Sequence, residues 1–268
     1  MTERITSEQQ DQFRRFVEVA ATRALKEVEP DKDGLQRLFG RGGEFQTYVV
    51  DGIRRFSAKV PSYETARAIL GKDFIAPEEI AVTRGLTYTD EQLARFGDTL
   101  PNEEALEWCF DNAMMLVAGP PRAMSLLDIR AAKADYFYRK EGGWYAEDSE
   151  KFARDDKVEP VWIALRKEVV AGSLSKSWSE QEALVPAPMV VPNGAETVWG
   201  LTTYKVVRGT YLLQSRYVRT SSIHSDGLRV SVGRFVSDGL DVYYYWDVFR
   251  YDALGVASAR KFLPAQAG

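Results

Sequence analysis

The sequence predicts an α+β fold, with a mainly helical N-terminal half and an antiparallel β-meander with helices in the C-terminal half. Up to about residue 110, apolar residues recur at three- and four-residue spacing, which is typical of amphipathic helices. After about residue 210, short alternating segments separated by turn residues indicate strands. Because helices come first and the sheet later, the order favours α+β over an alternating α/β fold.

Helices dominate the first part of the chain. Ser7 and Gln10 fit a capping box, and Pro30 stops the helix that follows. The apolar face of this helix comprises Phe13, Phe16, Val17, Ala20, Ala24, Leu25 and Val28. Further helices are expected at 35–39, 45–56, 62–70, 89–96 and 102–110. Ser62, Thr89 and Asn102 are suited to cap the last three of these.

Both element types are expected between residues 114 and 207. The buried strand 114–117 ends at a Gly-Pro-Pro turn, and 161–170 alternates like a second strand. Helices are expected at 125–133, 177–184 and 195–207. Three prolines fall within 185–193, which makes this segment the best candidate for a loop or internal boundary.

The C-terminal sheet is predicted from four segments and two turns. The strands are expected at 210–213, 217–223, 228–235 and 240–246. Ser-Asp-Gly occurs at 225–227 and again at 237–239, and both copies favour tight turns. The last three strands are therefore expected to form an antiparallel meander.

These elements suggest two parts of unequal size. Residues 1–60 form a helical segment, either an arm or a subdomain, and residues 61–268 form an α+β core with a possible internal boundary near 185–193. The first helix is a candidate for self-association or for binding a protein partner, unless it packs on its own domain.

Composition restricts the chemistry and the location. One His and one Cys exclude an intramolecular disulfide and the zinc sites that need several such ligands. No metal and no cofactor is expected. No signal peptide or apolar run of about 20 residues occurs, so we expect a cytoplasmic protein without a membrane segment.

The net charge of −4 is unevenly distributed. Residues 61–118 carry −7, whereas residues 186–268 carry +3. Most basic residues in the C-terminal segment are arginines, which suit bidentate recognition of phosphate or carboxylate. The overall acidity argues against tight, purely electrostatic binding of DNA.

Strand alternation suggests a recognition surface on the C-terminal sheet. If the aliphatic side chains face the core, Arg229, Tyr243 and Tyr245 share the outer face, and Arg219 joins them if the register allows. Such a face can stack on bases or sugars and hold phosphates. Alternatively, a helix covers it, or these residues are ordinary cross-strand pairs.

Other residue patterns are weaker. Ser173 and Lys176 match a Ser-x-x-Lys pattern, although a helix N-cap explains them better. An acidic cluster could hold a divalent cation or be a solvated segment; it comprises Glu147, Asp148, Glu150, Asp155 and Asp156. His224 is expected to be exposed in a turn, and Cys109 to be buried in the core.

The leading hypothesis is a binding protein that recognises a nucleic acid, a nucleotide or another phosphate-bearing ligand through Arg219, Arg229, Tyr243 and Tyr245. One alternative is a metal-dependent or Ser/Lys hydrolase, so whether the chain is an enzyme stays open. A second alternative is a structural assembly subunit whose N-terminal helix docks on a neighbour.

Overall fold

The computed structural model describes residues 5–57, 61–139 and 141–262. It confirms the α+β class: a helical first half is followed by sheets that are mostly antiparallel. Contacts divide the chain into two units, Met1–Ala58 and Lys59–Gly268.

The helices and strands are numbered in chain order. The described α-helices are α1 (Ser7–Val28), α2 (Lys32–Gly40), α3 (Gly42–Ser57), α4 (Tyr63–Leu70), α5 (Pro77–Arg84), α6 (Asp90–Asp98), α7 (Glu103–Asp111), α8 (Leu126–Ala132), α9 (Phe152–Asp155), α10 (Trp178–Glu182) and α11 (Gly194–Arg208). The described strands are β1 (Phe74–Ile75), β2 (Met114–Ala118), β3 (Met124–Ser125), β4 (Lys157–Val158), β5 (Trp162–Arg166), β6 (Tyr217–Ile223), β7 (Arg229–Val236), β8 (Gly239–Tyr245), β9 (Leu254–Val256) and β10 (Ala259–Phe262).

The first unit consists of α1, α2 and α3. Thr6 caps α1 and forms a capping box with Gln9, so the cap lies one residue before the predicted Ser7. Neither α1 nor α2 contains a buried residue. Among the described residues of this unit, the apolar face predicted for α1 therefore has no covering layer.

The second unit contains two four-stranded sheets and a short two-stranded one. The first sheet has the order β1-β2-β5-β10, in which only β1 and β2 are parallel. The second has the order β8-β7-β6-β9. Strands β6, β7 and β8 form the predicted antiparallel meander, and β9 joins β6 in parallel.

Helix α11 connects the two large sheets. Its Trp199 indole N–H donates to the carbonyl of Ala118, at the end of β2, over 2.9 Å. At its N-terminus the backbone N–H of Gly194 donates to the hydroxyl of Ser222 in β6 over 2.8 Å. All eleven residues from Gly194 to Tyr204 are buried, because the segment is apolar or neutral around most of its circumference.

Aromatic side chains fill the core where the first sheet meets the helices before it. Trp162 of β5 is fully buried and stacks on Phe74 of β1, with ring centroids 5.4 Å apart. Tyr63 and Phe96 meet the Trp162 ring edge-on. The Trp162 indole N–H donates to the Phe96 carbonyl over 2.8 Å, so its polar atom is satisfied.

Several predicted elements differ from the structure. Residues 210–213 do not form a strand, because Leu213 has a left-handed φ of 52° that interrupts extended backbone. Tyr211 nevertheless packs edge-on against Phe235, and this burial explains the strand-like apolar pattern. The strand expected at 161–170 is limited to Trp162–Arg166. Residues 185–193 lie inside the second unit.

Gly119 provides a test of the close packing at the end of β2. A Cβ added there would lie 1.9 Å from the Glu159 carbonyl oxygen, so backbone would have to move. We predict that Gly119→Ala lowers the free energy of unfolding by about 3 kcal/mol. Urea denaturation measures this change.

Gly97 is the matched control because it lies inside α6 with no heavy atom within 4 Å of an added Cβ. Gly97→Ala should stabilise the protein by about 0.5–1 kcal/mol, since alanine is the better helix former. Equal effects of the two substitutions would contradict the packing described for Gly119.

Candidate functional site

The register of the C-terminal sheet brings the predicted site residues to one face. Across β7 and β8, Arg229 pairs with Tyr245, and Ser231 pairs with Tyr243. Across β6 and β7, Arg219 pairs with Ser231. Because directly paired residues point to the same side of a sheet, these five side chains share its outer face.

Arg219 is completely buried on this face. Its Nη1 donates to the Lys176 carbonyl and to Gln181 Oε1, at 3.1 and 2.9 Å. Its Nη2 donates to the carbonyls of Trp246 and Phe249, at 2.8 and 2.7 Å. Burial lowers the pKa of Arg219 to about 10. All four acceptors are uncharged, and three of them are backbone carbonyls. Arg219 therefore holds the surrounding backbone segments in place, an arrangement that we call the Arg219 clamp.

Arg229 lies beside Arg219 and is less enclosed. Its guanidinium stacks on Trp178, 4.0 Å from the ring centroid, and donates to the Ser221 carbonyl over 3.1 Å. Its Nη2 lies 3.5 Å from Asp247 Oδ2, which is a loose ion pair. The Arg229 side chain is 13% exposed and that of Asp247 is 44% exposed, so this pair reaches the surface.

Helix α10 and the loop after β8 cover the arginine side of the face. The Trp178 backbone N–H donates to the Asp247 carbonyl over 2.7 Å, which joins the two covering segments. Glu180 completes a capping box with Ser177, and these hydrogen bonds, with Arg250 adding to them, lower the pKa of Glu180 to about 2. Arg219 is therefore fully covered, and Arg229 is covered except at the edge where it meets Asp247.

The β8 side of the same face is open. A cluster of rings in mutual contact, termed the aromatic patch, comprises Tyr243, Tyr245, Phe249 and Tyr251. Tyr243 is 41% exposed and Phe249 is 44% exposed. The ring centroids of Tyr243 and Tyr245 are 5.1 Å apart, and Tyr245 stacks on Phe249 at 5.4 Å with the planes 5° apart. A cluster of this kind on a surface is typical of a binding site.

Three of the five acidic residues predicted as an alternative metal site bind protein groups through their carboxylates. Glu150 accepts from the Ser225 hydroxyl over 2.6 Å, Asp156 accepts from the Ser222 hydroxyl, and Asp148 accepts from Arg154 over 3.0 Å. Within the described ranges, no group of three or more His, Cys, Asp or Glu side chains has an arrangement that could hold a metal ion.

Ser173 and Lys176 do not form a helical pair. Ser173 is fully buried, and its hydroxyl accepts from the Val256 backbone N–H over 3.3 Å. The helix N-cap expected here is provided by Ser177, because α10 begins at Trp178. The Ser-x-x-Lys pattern therefore falls in a turn, where Lys176 contributes its carbonyl to Arg219.

His224 is not the exposed turn residue that the sequence suggested. Its side chain is only 11% exposed, and its ring packs against Trp144 and Tyr244 with centroids 5.0 and 4.4 Å away. Its Nε2 lies 3.3 Å from Glu150 Oε1. The His224 ring is enclosed because the segment around Trp144 and Glu150 packs against it, a long-range contact that sequence spacing does not reveal.

Cys109 is buried in the core, as predicted, and burial raises the pKa of its thiol to about 12.

The sequence did not predict the contributions of Trp178, Asp247 and Phe249 to the C-terminal face. The dense aromatic run from Tyr243 to Tyr251 was a signal for the patch.

Among the helices in the described ranges, none has the length and apolar character that a membrane span requires.

No known protein family, no curated protein and no solved structure matches this chain. Function must therefore be inferred from the chemistry of the chain's own residues.

The hydrogen bonds of Arg219 make a specific prediction about stability. Arg219→Met removes donors from three backbone carbonyls and from Gln181, and we predict a loss of about 3 kcal/mol or more in the free energy of unfolding. Urea denaturation followed by circular dichroism measures this loss.

Arg234→Met is the control, because Arg234 lies on β7 but is exposed. It should change stability by no more than about 0.5 kcal/mol. If Arg219→Met lowered the free energy of unfolding no more than the control does, the structural role assigned to Arg219 would be wrong.

Proposed function

We propose that this chain is a binding protein that recognises a phosphate-bearing ligand with a flat ring system on the outer face of its C-terminal sheet. The ligand class includes a free nucleotide and the end of a nucleic-acid strand. The observation that carries the proposal is the aromatic patch, which lies open beside two arginines on the same sheet face.

The patch supplies the surface for stacking. Tyr243 and Phe249 of the patch are both exposed. Bases stack on such rings whatever their identity, with a contribution of about 1–3 kcal/mol per base. Stacking alone therefore gives measurable affinity without requiring hydrogen bonds to the base edges.

The charge of the face favours a small ligand over a long polyanion. The arginines on this face are covered by α10 and the loop after β8, and Arg250 pairs with Glu180 at 2.8 Å. Tight binding of a long nucleic acid needs many accessible cations along its backbone. One phosphate next to one stacked ring matches this arrangement better.

We further infer that binding occurs in the cytoplasm. The support is the chemistry of Cys109, which is a free thiol enclosed in the core, and the absence of any other cysteine in the sequence. Reducing compartments maintain such thiols.

The proposal predicts that Tyr243→Ala weakens nucleotide binding about tenfold, since it removes one stacking surface. The probes are adenosine monophosphate and a short 5′-phosphorylated single-stranded oligonucleotide, titrated by calorimetry at low salt. Comparing the two probes distinguishes a free nucleotide from a strand end.

Phe110→Ala is the matched control, because Phe110 is an aromatic residue of α7 that is 62% exposed and lies outside the sheet. The Phe110→Ala variant should bind both probes with the same affinity as the parent protein. If neither probe binds, or if both variants bind like the parent, the proposed function is wrong.

A second candidate function is assembly with another copy of the chain through α1. The observation that favours it is the set of exposed apolar side chains on α1, which includes Phe13, Phe16, Val17, Leu25 and Val28. A 22-residue helix is about 33 Å long, and these side chains present roughly 400–500 Å² of apolar surface. That is more than half of the roughly 800 Å² that each partner buries in a standard interface.

The charges of α1 favour a second copy over a membrane or a nucleic acid. The helix carries four acidic and four basic residues, so it has no net charge to attract anionic lipid or phosphate. Its bulky residues Phe13 and Phe16 lie in the first half, and the small residues Ala20 and Ala24 lie in the second. An antiparallel pair would therefore place large side chains against small ones, with two-fold symmetry.

Sedimentation velocity on the full chain tests this assembly. We predict a dimer for the parent and a monomer for the Phe13→Glu/Phe16→Glu variant, because two buried carboxylates oppose association. Val82→Glu is the control, since Val82 is 86% exposed on α5, and it should remain a dimer. A monomeric parent at tens of micromolar would overturn the assembly proposal.

A further inference from the structure

Buried polar atoms without partners collect on the outer face of the C-terminal sheet. Among the described residues, these atoms include Arg219 Nε, Arg229 Nε, Ser231 Oγ and Asp247 Oδ1. Arg219 and Ser231 are both completely buried and are direct neighbours in the register. Buried polar groups are normally hydrogen-bonded, so such a concentration calls for an explanation.

The same residues leave a positive charge uncompensated. In the part of the chain that the structure describes, Asp247 is the only carboxylate within 4.0 Å of either guanidinium. Two arginines therefore share one acid, and its contact with Arg229 is loose at 3.5 Å. An enclosed cation without a counter-charge is costly, which favours the binding of one anionic group.

This charged group adjoins the open part of the face. Tyr243 is the register partner of Ser231, and Tyr245 is the partner of Arg229. A ring stacked on Tyr243 would therefore lie next to β7, the strand that carries Ser231 and Arg229. Asp247 and Arg229 reach the surface between the covered and open parts.

We infer that Arg229 and Ser231 form a subsite for a single phosphate group, and that Asp247, which contacts Arg229 Nη2 but not Ser231, competes for Arg229 when no ligand is bound. This inference rests on the proposed function, because the ring of the same ligand stacks on the aromatic patch. The phosphate displaces the Asp247 carboxylate from Arg229, accepts from Arg229 Nε and Nη2, and accepts from the Ser231 hydroxyl. Arg219 stays in its clamp and adds long-range positive charge.

If Asp247 competes with the ligand, its substitution should increase the affinity. A gain in affinity cannot result from a loss of folding. Asp247→Asn removes the competing charge, so adenosine monophosphate should bind about five- to tenfold more tightly. Arg229→Gln should weaken binding about tenfold or more, and Ser231→Ala should weaken it severalfold. Arg234→Gln removes an exposed arginine from the same strand and should leave the affinity within about twofold.

Three probes separate this inference from the proposed function: adenosine monophosphate, adenosine and inorganic phosphate, each titrated by calorimetry into the full chain. We expect adenosine to bind about tenfold more weakly than the monophosphate and to be insensitive to Asp247→Asn. We expect inorganic phosphate to bind the Asp247→Asn variant more tightly than the parent.

The outcomes are distinct. If adenosine and its monophosphate bind equally and Asp247→Asn changes neither, the subsite is wrong while the aromatic patch remains a binding surface. If neither adenosine compound binds but inorganic phosphate binds the Asp247→Asn variant more tightly, the subsite stands and the proposed ring recognition is wrong. If no probe binds any variant, both are wrong.

Discussion

The organisation of the C-terminal sheet depends on the hydrogen bonds of the buried Arg219 guanidinium. It donates four hydrogen bonds to neutral acceptors on α10, on the turn before it and on the loop after β8. A planar side chain with five donors can hold several backbone segments at once, which lysine cannot. By drawing these segments over β6 and β7, Arg219 covers one half of the outer face and leaves the β8 half open.

This division separates the half of the sheet face that holds the surrounding segments in place from the half that we propose for recognition. The covered half is held by the hydrogen bonds of Arg219, whereas the open half exposes the rings of Tyr243 and Phe249. Arg229 and Asp247 lie at the boundary, where their loose contact can be exchanged for a stronger one. In the proposed binding mode, the rings of the aromatic patch would supply affinity by stacking, and Arg229 would supply specificity for a phosphate group.

Local patterns predicted much of this fold. Alternation in β7 and β8 placed Arg229, Tyr243 and Tyr245 on one face, because side-chain direction in a strand follows from sequence alone. Capping residues such as Ser62 and Thr89 marked helix starts correctly. Short elements were missed, including β1 and β9, since two or three residues carry no periodicity.

What the sequence could not reveal depends on contacts between distant segments. Whether Arg219 was exposed depended on Trp246 and Phe249, about 30 residues further along the chain. His224 was enclosed by a segment about 75 residues before it, around Glu150. Leu213 broke an apparent strand through a backbone angle that its side chain does not signal.

The most direct test of the account follows the tyrosine rings of the intact protein. Carbon-13 labelling of the rings and two-dimensional NMR during titration with adenosine monophosphate report which rings the ligand contacts. We expect chemical-shift changes confined to the tyrosines of the aromatic patch, with the largest change at Tyr243, while the signals of the buried Tyr204 and Tyr145 stay unchanged. Shifts centred on tyrosines away from the C-terminal sheet, or saturating ligand without any shift at Tyr243, would contradict it.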